Sequence, residues 1–174
     1  ILGMLVVLLG YMGSGKSTVG KVLAERLRLP FIDLDTRIEA ELSAPIPEIF
    51  RERGELYFRK KEHEILVELL ASGQPRVLSL GGGTPAYAGN MDRVLKATPN
   101  SFYLQHTIPS LVARLASEKA QRPLIAHLLD SELPEFIGKH LFDRGPYYLQ
   151  AGHTLASSGK TVEELVDEIE GKLV

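Results

Sequence analysis

The chain has 174 residues and a formal charge of −2, which suits one domain and disfavours a nucleic-acid-binding protein, because such proteins usually carry a basic excess. Hydrophobic residues make up 44% of the chain, enough for a buried core and too many for a disordered segment. The sequence has no cysteine, which excludes disulfides, thiolate metal sites and a cysteine nucleophile, and fits a reducing cytoplasm.

The first nine residues are apolar, but no basic segment leads them and glycine-rich polar sequence follows at once, unlike a signal peptide. Nine residues are also about half of the ~20 that a membrane helix needs. We therefore predict a buried strand at Leu5–Leu9 and no membrane partner.

Strands and helices alternate along the rest of the chain. Apolar runs predict four more strands, at Phe31–Leu34, Val77–Leu80, Ser101–Leu104 and His153–Ala156. Helical patterns cover the intervening segments, at Ser17–Arg28, Thr36–Leu42, Pro47–Arg53, Glu55–Ala71, Met91–Ala97, Pro109–Lys119, Pro134–Leu149 and Val162–Leu173. This alternation predicts an α/β fold, a parallel sheet with helices on both faces.

Two segments do not fit simple alternation. About 40 residues of mostly helical pattern separate the second and third strands, far more than one crossover needs. Residues 120–133 have a looser pattern that contains prolines. We predict a substrate-binding lobe at about residues 36–63 and a lid at about 119–133, within one domain spanning 1–174.

The segment Gly10–Ser17 fits the pattern G-x-x-x-x-G-K-[ST] between a strand and a helix. Glycines let successive N–H groups face phosphate oxygens, and the following helix adds the positive end of its dipole. Lys16 would contact the β and γ phosphates, and the Ser17 hydroxyl would ligate Mg²⁺. A glycine-rich turn before an ordinary helix is the alternative, but motif and context together favour a nucleoside triphosphate site.

Two carboxylates, Asp33 and Asp35, close the second predicted strand. Their spacing puts both on one side of an extended segment, at the carboxyl end where ligands bind in parallel sheets. One could hold hydrated Mg²⁺ while the other accepts a proton from an acceptor hydroxyl. In the alternative interpretation, Asp35 only caps the helix that begins at Thr36.

Three glycines, Gly81 to Gly83, follow the third predicted strand. They would let a small molecule or a phosphate contact backbone N–H groups directly. The alternative is a plain turn before Pro85.

Three arginines are candidate anchors for an anion, and each has a simpler explanation. Arg59 could pair with Glu55 or Glu62 on its own helix. Arg122 could be a solvated loop charge, and Arg144 could favour the dipole at a helix end. The histidines show no metal-ligand spacing and receive no role: His63, His106, His127, His140 and His153.

Together these motifs resemble the shikimate kinase family from Leu5 to Leu173. The matching segments are Gly10–Thr18, Asp33–Asp35, Phe58-Arg59 with Glu62, Leu80–Gly83, Arg122–Leu124 and Arg144–Tyr148. The resemblance implies a P-loop kinase fold like that of nucleoside monophosphate kinases, with a five-stranded parallel sheet in the order 2-3-1-4-5. It also implies transfer of the γ-phosphoryl group of ATP to the 3-hydroxyl of shikimate, towards chorismate and the aromatic amino acids.

The resemblance further implies roles for residues on the ATP side. Asp33 would hold Mg²⁺ through water, and Ser17 would ligate it directly. Arg122 would close over the phosphates and join Lys16 in stabilising charge. The remaining nucleotide contacts would come from Gly13, Ser14, Gly15, Thr18 and, near adenine, Arg114.

On the acceptor side, Asp35 would bond shikimate hydroxyls and act as base or orienter. Arg59 and Arg144 would bind the carboxylate, which suits the planar guanidinium. Backbone N–H groups and aromatic rings would complete the site, from Gly82, Gly83, Phe50 and Phe58.

One segment departs from the family pattern. The loop 157–161 is shorter than in some relatives and lacks a proline that often contacts adenine, so no adenine contact is assigned there. Alternatives to shikimate kinase are a gluconate or nucleoside monophosphate kinase, and a regulatory module that binds nucleotide without catalysis. We expect a cytoplasmic monomer.

Overall fold

The computed structural model describes residues 3–174, so Ile1 and Leu2 of the leading apolar run lie outside it. Its centre is a five-stranded parallel sheet in the order β2-β3-β1-β4-β5. The strands are β1 (Leu5–Leu9), β2 (Phe31–Asp33), β3 (Arg76–Ser79), β4 (Ser101–Gln105) and β5 (His153–Ala156). The predicted fold class and strand order are confirmed.

The helices lie within one or two residues of the predicted bounds. They are α1 (Lys16–Leu27), α2 (Leu34–Leu42), α3 (Ile46–Arg53), α4 (Glu55–Ala71), α5 (Asn90–Ala97), α6 (Ile108–Glu118), α7 (Leu133–Tyr148) and α8 (Val162–Lys172). Three short 3₁₀ turns were not predicted: Thr84–Ala86, Lys119–Gln121 and Asp130–Glu132. Among residues 3–174, no helix is long and apolar enough to cross a membrane.

The central strand β1 is buried on both faces, as its unbroken apolar run predicts. Leu5, Val7 and Leu9 belong to the core on one side of the sheet, which the segments from α2 to α7 cover. Val6 and Leu8 belong to the opposite core, which α1 and α8 cover. The two layers hold the loops at the carboxyl ends of the strands in fixed positions.

The end of β2 differs from the prediction. Leu34 already begins α2, so Asp35 is helical and the predicted extended segment through Asp35 was wrong. The reason is a cap, since Oδ1 of Asp33 accepts from the Thr36 N–H at 3.2 Å. Asp33 therefore supplies the N-cap, and the alternative that Asp35 caps this helix was also wrong.

The segment predicted as a lid is partly packed against the core. Residues 119–132 form two 3₁₀ turns and the connection between them, and Leu133 already begins α7. Within that connection Ile125 is fully buried, in the same hydrophobic cluster as Leu115 and Ile137. The lid expected from sequence thus has an apolar anchor, and its movement stays a prediction.

Candidate active site

A cavity of about 330 Å³ lies at the carboxyl ends of β1, β2 and β3, where ligands bind in open α/β sheets. Residues from several elements line it, and most were predicted from sequence. They are Met12, Gly13, Gly15, Lys16, Ser17, Thr18, Asp33, Asp35, Ser79, Leu80, Gly81, Gly82, Arg114, Glu118 and Arg122.

The P-loop wall of the cavity has the features of an anion site. Gly13 and Gly15 adopt φ values of 77° and 88°, which favour glycine. The helix α1 begins at Lys16 without a side-chain cap, and its first turn has no acidic residue. Its first N–H groups and its dipole are therefore free to meet a phosphate.

Lys16 lies on the P-loop itself. Its Nζ donates to the carbonyl oxygens of Gly10 at 2.8 Å and Tyr11 at 3.0 Å. Burial lowers the pKa of Lys16 to about 8, against the opposing effect of the Asp35 carboxylate. A phosphate arriving in the loop would restore the preference for the charged ammonium.

Ser17 and Asp33 form a pair of oxygen donors beside Lys16. Ser17 Oγ donates to Asp33 Oδ2 at 2.6 Å. Within residues 3–174 no cluster of three or more acidic or histidine side chains could hold a metal. The pair nevertheless fits Mg²⁺, which usually keeps several waters and binds one or two protein oxygens together with substrate phosphates.

Asp35 lies against Gly81, the first residue of the motif of three glycines. A Cβ atom on Gly81 would approach Asp35 Oδ1 to 2.6 Å, so a larger residue there would have to displace the Asp35 carboxylate. Burial raises the pKa of Asp35 to about 6, and the neighbouring Asp33 adds to this rise while Lys16 opposes it. The carboxylate is ionised at neutral pH and has a basicity useful for proton transfer.

The next two glycines face two arginines. A Cβ atom on Gly82 would lie 3.5 Å from Nη1 of Arg144, and one on Gly83 would lie 2.7 Å from Nη2 of Arg59. The segment is a turn as well, because Thr84 N donates to the Gly81 carbonyl at 3.2 Å. The predicted turn is therefore confirmed, and the absence of side chains also lets three charged side chains approach this backbone. Contact of a ligand with its N–H groups stays a prediction.

A buried carboxylate orients Arg59. Glu62, only 1% exposed, accepts from Arg59 Nη1 at 3.0 Å and from Thr84 Oγ1 at 2.8 Å. The predicted ion pair with Glu62 exists, and Glu55 lies 3.6 Å from Nε. Among the described residues, the buried Nε has no hydrogen-bond partner. Arg59 thus retains a donor for an anionic ligand.

Arg144 lies inside α7 rather than in its last turn, because the helix continues through Pro146 to Tyr148. The explanation from the helix dipole therefore does not hold for it. Its guanidinium carbon lies 6.0 Å from the centre of the Tyr11 ring. The position places Arg144 between the P-loop and Gly82.

Arg122 and Arg114 border the nucleotide side of the cavity. Arg122 donates to Glu118 Oε2 through Nε at 3.0 Å and Nη2 at 2.8 Å, so it is not a free loop charge. Arg114 Nη1 donates to the Gly13 carbonyl at 3.0 Å. Both arginines are held beside the P-loop, and a contact of Arg114 with adenine stays a prediction.

Six predicted residues do not line this cavity: Ser14, Phe50, Phe58, Arg59, Gly83 and Arg144. Phe50 and Phe58 pack against each other with ring centres 4.7 Å apart, and Phe58 is 3% exposed next to Arg59. Ser14 is 1% exposed beneath the P-loop. The cavity thus joins the phosphate loop, both aspartates and the first two glycines of the motif in one space. The two predicted acceptor arginines lie against the glycine motif just outside this lining, with the phenylalanines behind Arg59.

Sequence reasoning missed several residues that contact the site. His106 Nε2 bonds to the Ser14 carbonyl at 3.0 Å, and burial lowers its pKa, so this ring supports the P-loop as a neutral group. Tyr148 donates to the Gly82 carbonyl, and burial raises its pKa to about 12. Glu118, the partner of Arg122, was four residues away in sequence, a spacing that could have revealed the pair.

Comparison with known proteins agrees with this geometry. The family model described as shikimate kinase matches residues 12–173. A shikimate kinase from Flavobacterium johnsoniae is 47% identical over 164 residues, covering 94% of this chain and 95% of that protein.

Two solved structures share the fold over nearly the whole chain. Shikimate kinase from Bacteroides thetaiotaomicron has a TM-score of 0.90 at 35% identity, covering 97% of each chain. Shikimate kinase from Acinetobacter baumannii, solved in complex with shikimate, has a TM-score of 0.86 at 31% identity, covering 98% of this chain and 96% of that one. Since the family model covers most of the P-loop, both aspartates, the glycine motif and the arginines, this chain belongs to the shikimate kinase family.

Proposed function

We propose that this chain transfers the γ-phosphoryl group of ATP to the 3-hydroxyl of shikimate, giving shikimate 3-phosphate and ADP. One observation carries the proposal: the three consecutive glycines admit a carboxylate and two guanidinium groups side by side, next to the P-loop. A base and a pair of cations in this order suit an acceptor that has both a hydroxyl and a carboxylate.

The acceptor carboxylate would bind between Arg59 and Arg144. The planar guanidinium matches a carboxylate with two parallel hydrogen bonds, and Glu62 holds Arg59 in one orientation. The buried Nε of Arg59 would gain a partner in this way, which removes the cost of an unsatisfied donor. The N–H groups of Gly82 and Gly83 would bind the acceptor, with Phe50 and Phe58 bordering its ring.

Phosphoryl transfer needs alignment and charge neutralisation more than covalent catalysis. Asp35 would align the acceptor hydroxyl and take its proton as the new oxygen–phosphorus bond forms and the bond to ADP breaks. Lys16 and Arg122 would stabilise negative charge on the transferred group and the leaving ADP. Mg²⁺, held near Ser17 and through water by Asp33, would neutralise phosphate charge when bound.

The lobe at 36–63 and the lid at 119–133 would enclose the reacting groups and exclude water, which limits hydrolysis of ATP. In that closed state Arg122 would exchange its bond to Glu118 for the phosphates. Function as a monomer in the cytoplasm stays a prediction.

A coupled assay of ADP release tests the proposal, with ATP and Mg²⁺ and with shikimate, gluconate, AMP or no acceptor. We expect release that depends on shikimate alone. Activity with gluconate or AMP only would keep P-loop chemistry and reject the acceptor. Nucleotide binding without turnover on any acceptor would favour a regulatory module.

Arg59→Ala should raise the KM for shikimate far more than the KM for ATP, because the proposed contact is with the acceptor carboxylate. Arg93→Ala is a matched control, since Arg93 is exposed on α5 away from the cavity. An equal rise in both constants for Arg59→Ala would show that the acceptor lobe has been misassigned.

A further inference from the structure

Three side chains on α7 form one stripe at a spacing of four residues: His140, Arg144 and Tyr148. Such residues lie one above another on a single face of a helix. That face meets both loops of the site, because Tyr148 donates to the Gly82 carbonyl and His140 bonds to the P-loop residue Tyr11. Arg144 lies between the two attachments.

The attachment to the P-loop is a single well-formed hydrogen bond. The Tyr11 hydroxyl and His140 Nδ1 are 2.7 Å apart, and Tyr11 is 1% exposed. Phe136 packs edge-on against the imidazole with ring centres 4.6 Å apart, which fixes the plane of the ring. Burial and the nearby Arg144 lower the pKa of His140, while burial raises that of Tyr11, so both groups stay neutral.

Without this bond, the hydrogen bond from Tyr148 to the Gly82 carbonyl would still attach this face of α7, but on the other side of Arg144. Helix α7 already contains Pro146, which has no N–H and removes one helical hydrogen bond just after Arg144. The face that carries Arg144 therefore depends on contacts outside the helix for its exact orientation. The Tyr11 ring also lies beside the Arg144 guanidinium.

We propose that Tyr11 and His140 are positioning residues, whose hydrogen bond holds α7 so that Arg144 faces Gly82 and receives the acceptor carboxylate. The inference rests on the proposed function, because it assigns Arg144 to the acceptor. It gives a role to a P-loop side chain that does not line the cavity and to a histidine outside any catalytic motif.

The test compares steady-state kinetics of Tyr11→Phe, His140→Leu and His140→Asn with the unmodified enzyme. Asparagine can offer a donor or an acceptor close to the position of Nδ1, whereas leucine cannot. We expect Tyr11→Phe and His140→Leu to raise the KM for shikimate about three- to tenfold, the range for one lost hydrogen bond. The KM for ATP should change less than twofold, and His140→Asn should restore most of the shikimate affinity.

One further variant separates this inference from the proposed function. Arg144→Ala tests the acceptor contact: if it leaves the KM for shikimate unchanged, Arg144 does not bind the acceptor and the positioning role fails, while shikimate-dependent ADP release still decides the proposed function. If Arg144→Ala raises that KM while Tyr11→Phe and His140→Leu do not, only the positioning role fails. A parallel rise in the constants for both substrates, or no rescue by asparagine, would indicate a general structural role and also overturn it.

Hydrogen exchange gives a readout that needs no acceptor. Amides of 144–149 should exchange faster in Tyr11→Phe and His140→Leu, while those of β1 keep their protection. Unchanged exchange at 144–149 would show that the bond does not restrain this part of α7.

Discussion

Replacing Asp35 with asparagine is expected to stabilise the folded protein while it slows turnover. The pKa of Asp35 rises from 3.8 to about 6 because folding buries the carboxylate and brings Asp33 near it. This difference corresponds to about 3 kcal/mol at about 1.4 kcal/mol per pKa unit. The ionised Asp35 carboxylate therefore lowers the free energy of unfolding. The uncharged side-chain amide of Asp35→Asn does not have this destabilising effect.

The cost depends on pH in a defined direction. Because the folded state holds its proton more tightly than the unfolded chain, stability falls as the pH rises from about 4 through about 6. Below pH 4 both states are protonated and the cost disappears. The free energy of unfolding should fall by about 2 kcal/mol from this cause between pH 4.5 and pH 8.

Urea denaturation of the unmodified protein and Asp35→Asn at pH 4.5 and 8 measures this difference. The gain from Asp35→Asn should be about 2 kcal/mol larger at pH 8 than at pH 4.5. Asp92→Asn, at an exposed position on α5, controls for the change of charge itself. Turnover of shikimate should fall ~10²-fold or more in Asp35→Asn.

The opposite result would be informative. Asp35→Asn could be less stable than the unmodified protein at pH 8, or it could change the free energy of unfolding equally at both pH values. Either result would show that burial does not destabilise the ionised Asp35 carboxylate. Turnover close to that of the unmodified enzyme would remove Asp35 from the role of base.

Three other predictions concern the same cavity. Arg122→Ala should lower kcat about 10²-fold with an unchanged circular dichroism spectrum, because the Arg122 side chain hydrogen-bonds to Glu118 at the end of α6 and alanine keeps the backbone bonds of the segment. Loss of folding would show that Arg122 is structural. Gly83→Ala should raise the KM for shikimate, because the new Cβ would displace the Arg59 guanidinium. Gly171→Ala is the control, since a Cβ there meets open space. An equal KM for shikimate in the two variants would contradict the prediction. Binding of ADP at pH 8.5 should be accompanied by uptake of a proton, because Lys16, with a pKa of about 8, is mostly neutral there and the phosphates favour its charged form. Calorimetry in buffers of different ionisation enthalpy measures this uptake. Binding without proton uptake would refute the prediction.

The sheet could be predicted because its signal is local and repeated. Each strand is a short apolar run between glycines or helical patterns, and β1 and β5 have the predicted bounds. The strand order, however, came from the resemblance to a known family, since an alternating pattern alone leaves several arrangements of parallel strands. The end of β2 was misplaced because the Asp33 cap, a side-chain effect, begins the helix two residues early.

The sequence predicted individual residues of the site better than the contacts between them. Sequence motifs indicate which residues could bind phosphate or a carboxylate, but each arginine also had an ordinary explanation. The two explanations are compatible for Arg59, because Glu62 accepts from Nη1 while Nε, 3.6 Å from Glu55, has no hydrogen-bond partner within residues 3–174. An ion pair within a helix can therefore orient a binding residue instead of competing with it.

The glycine motif shows why spacing alone could not reveal the arrangement. Gly81, Gly82 and Gly83 are typical of a turn, and φ values at all three stay outside the left-handed region that requires glycine. A larger residue at Gly81 or Gly83 would have to displace Asp35 or Arg59, which approach from distant parts of the chain. These contacts depend on tertiary packing, which the spacing of residues in the sequence does not reveal. The small size of residues 81 and 83 is therefore explained by the close approach of the acceptor-side residues Asp35 and Arg59.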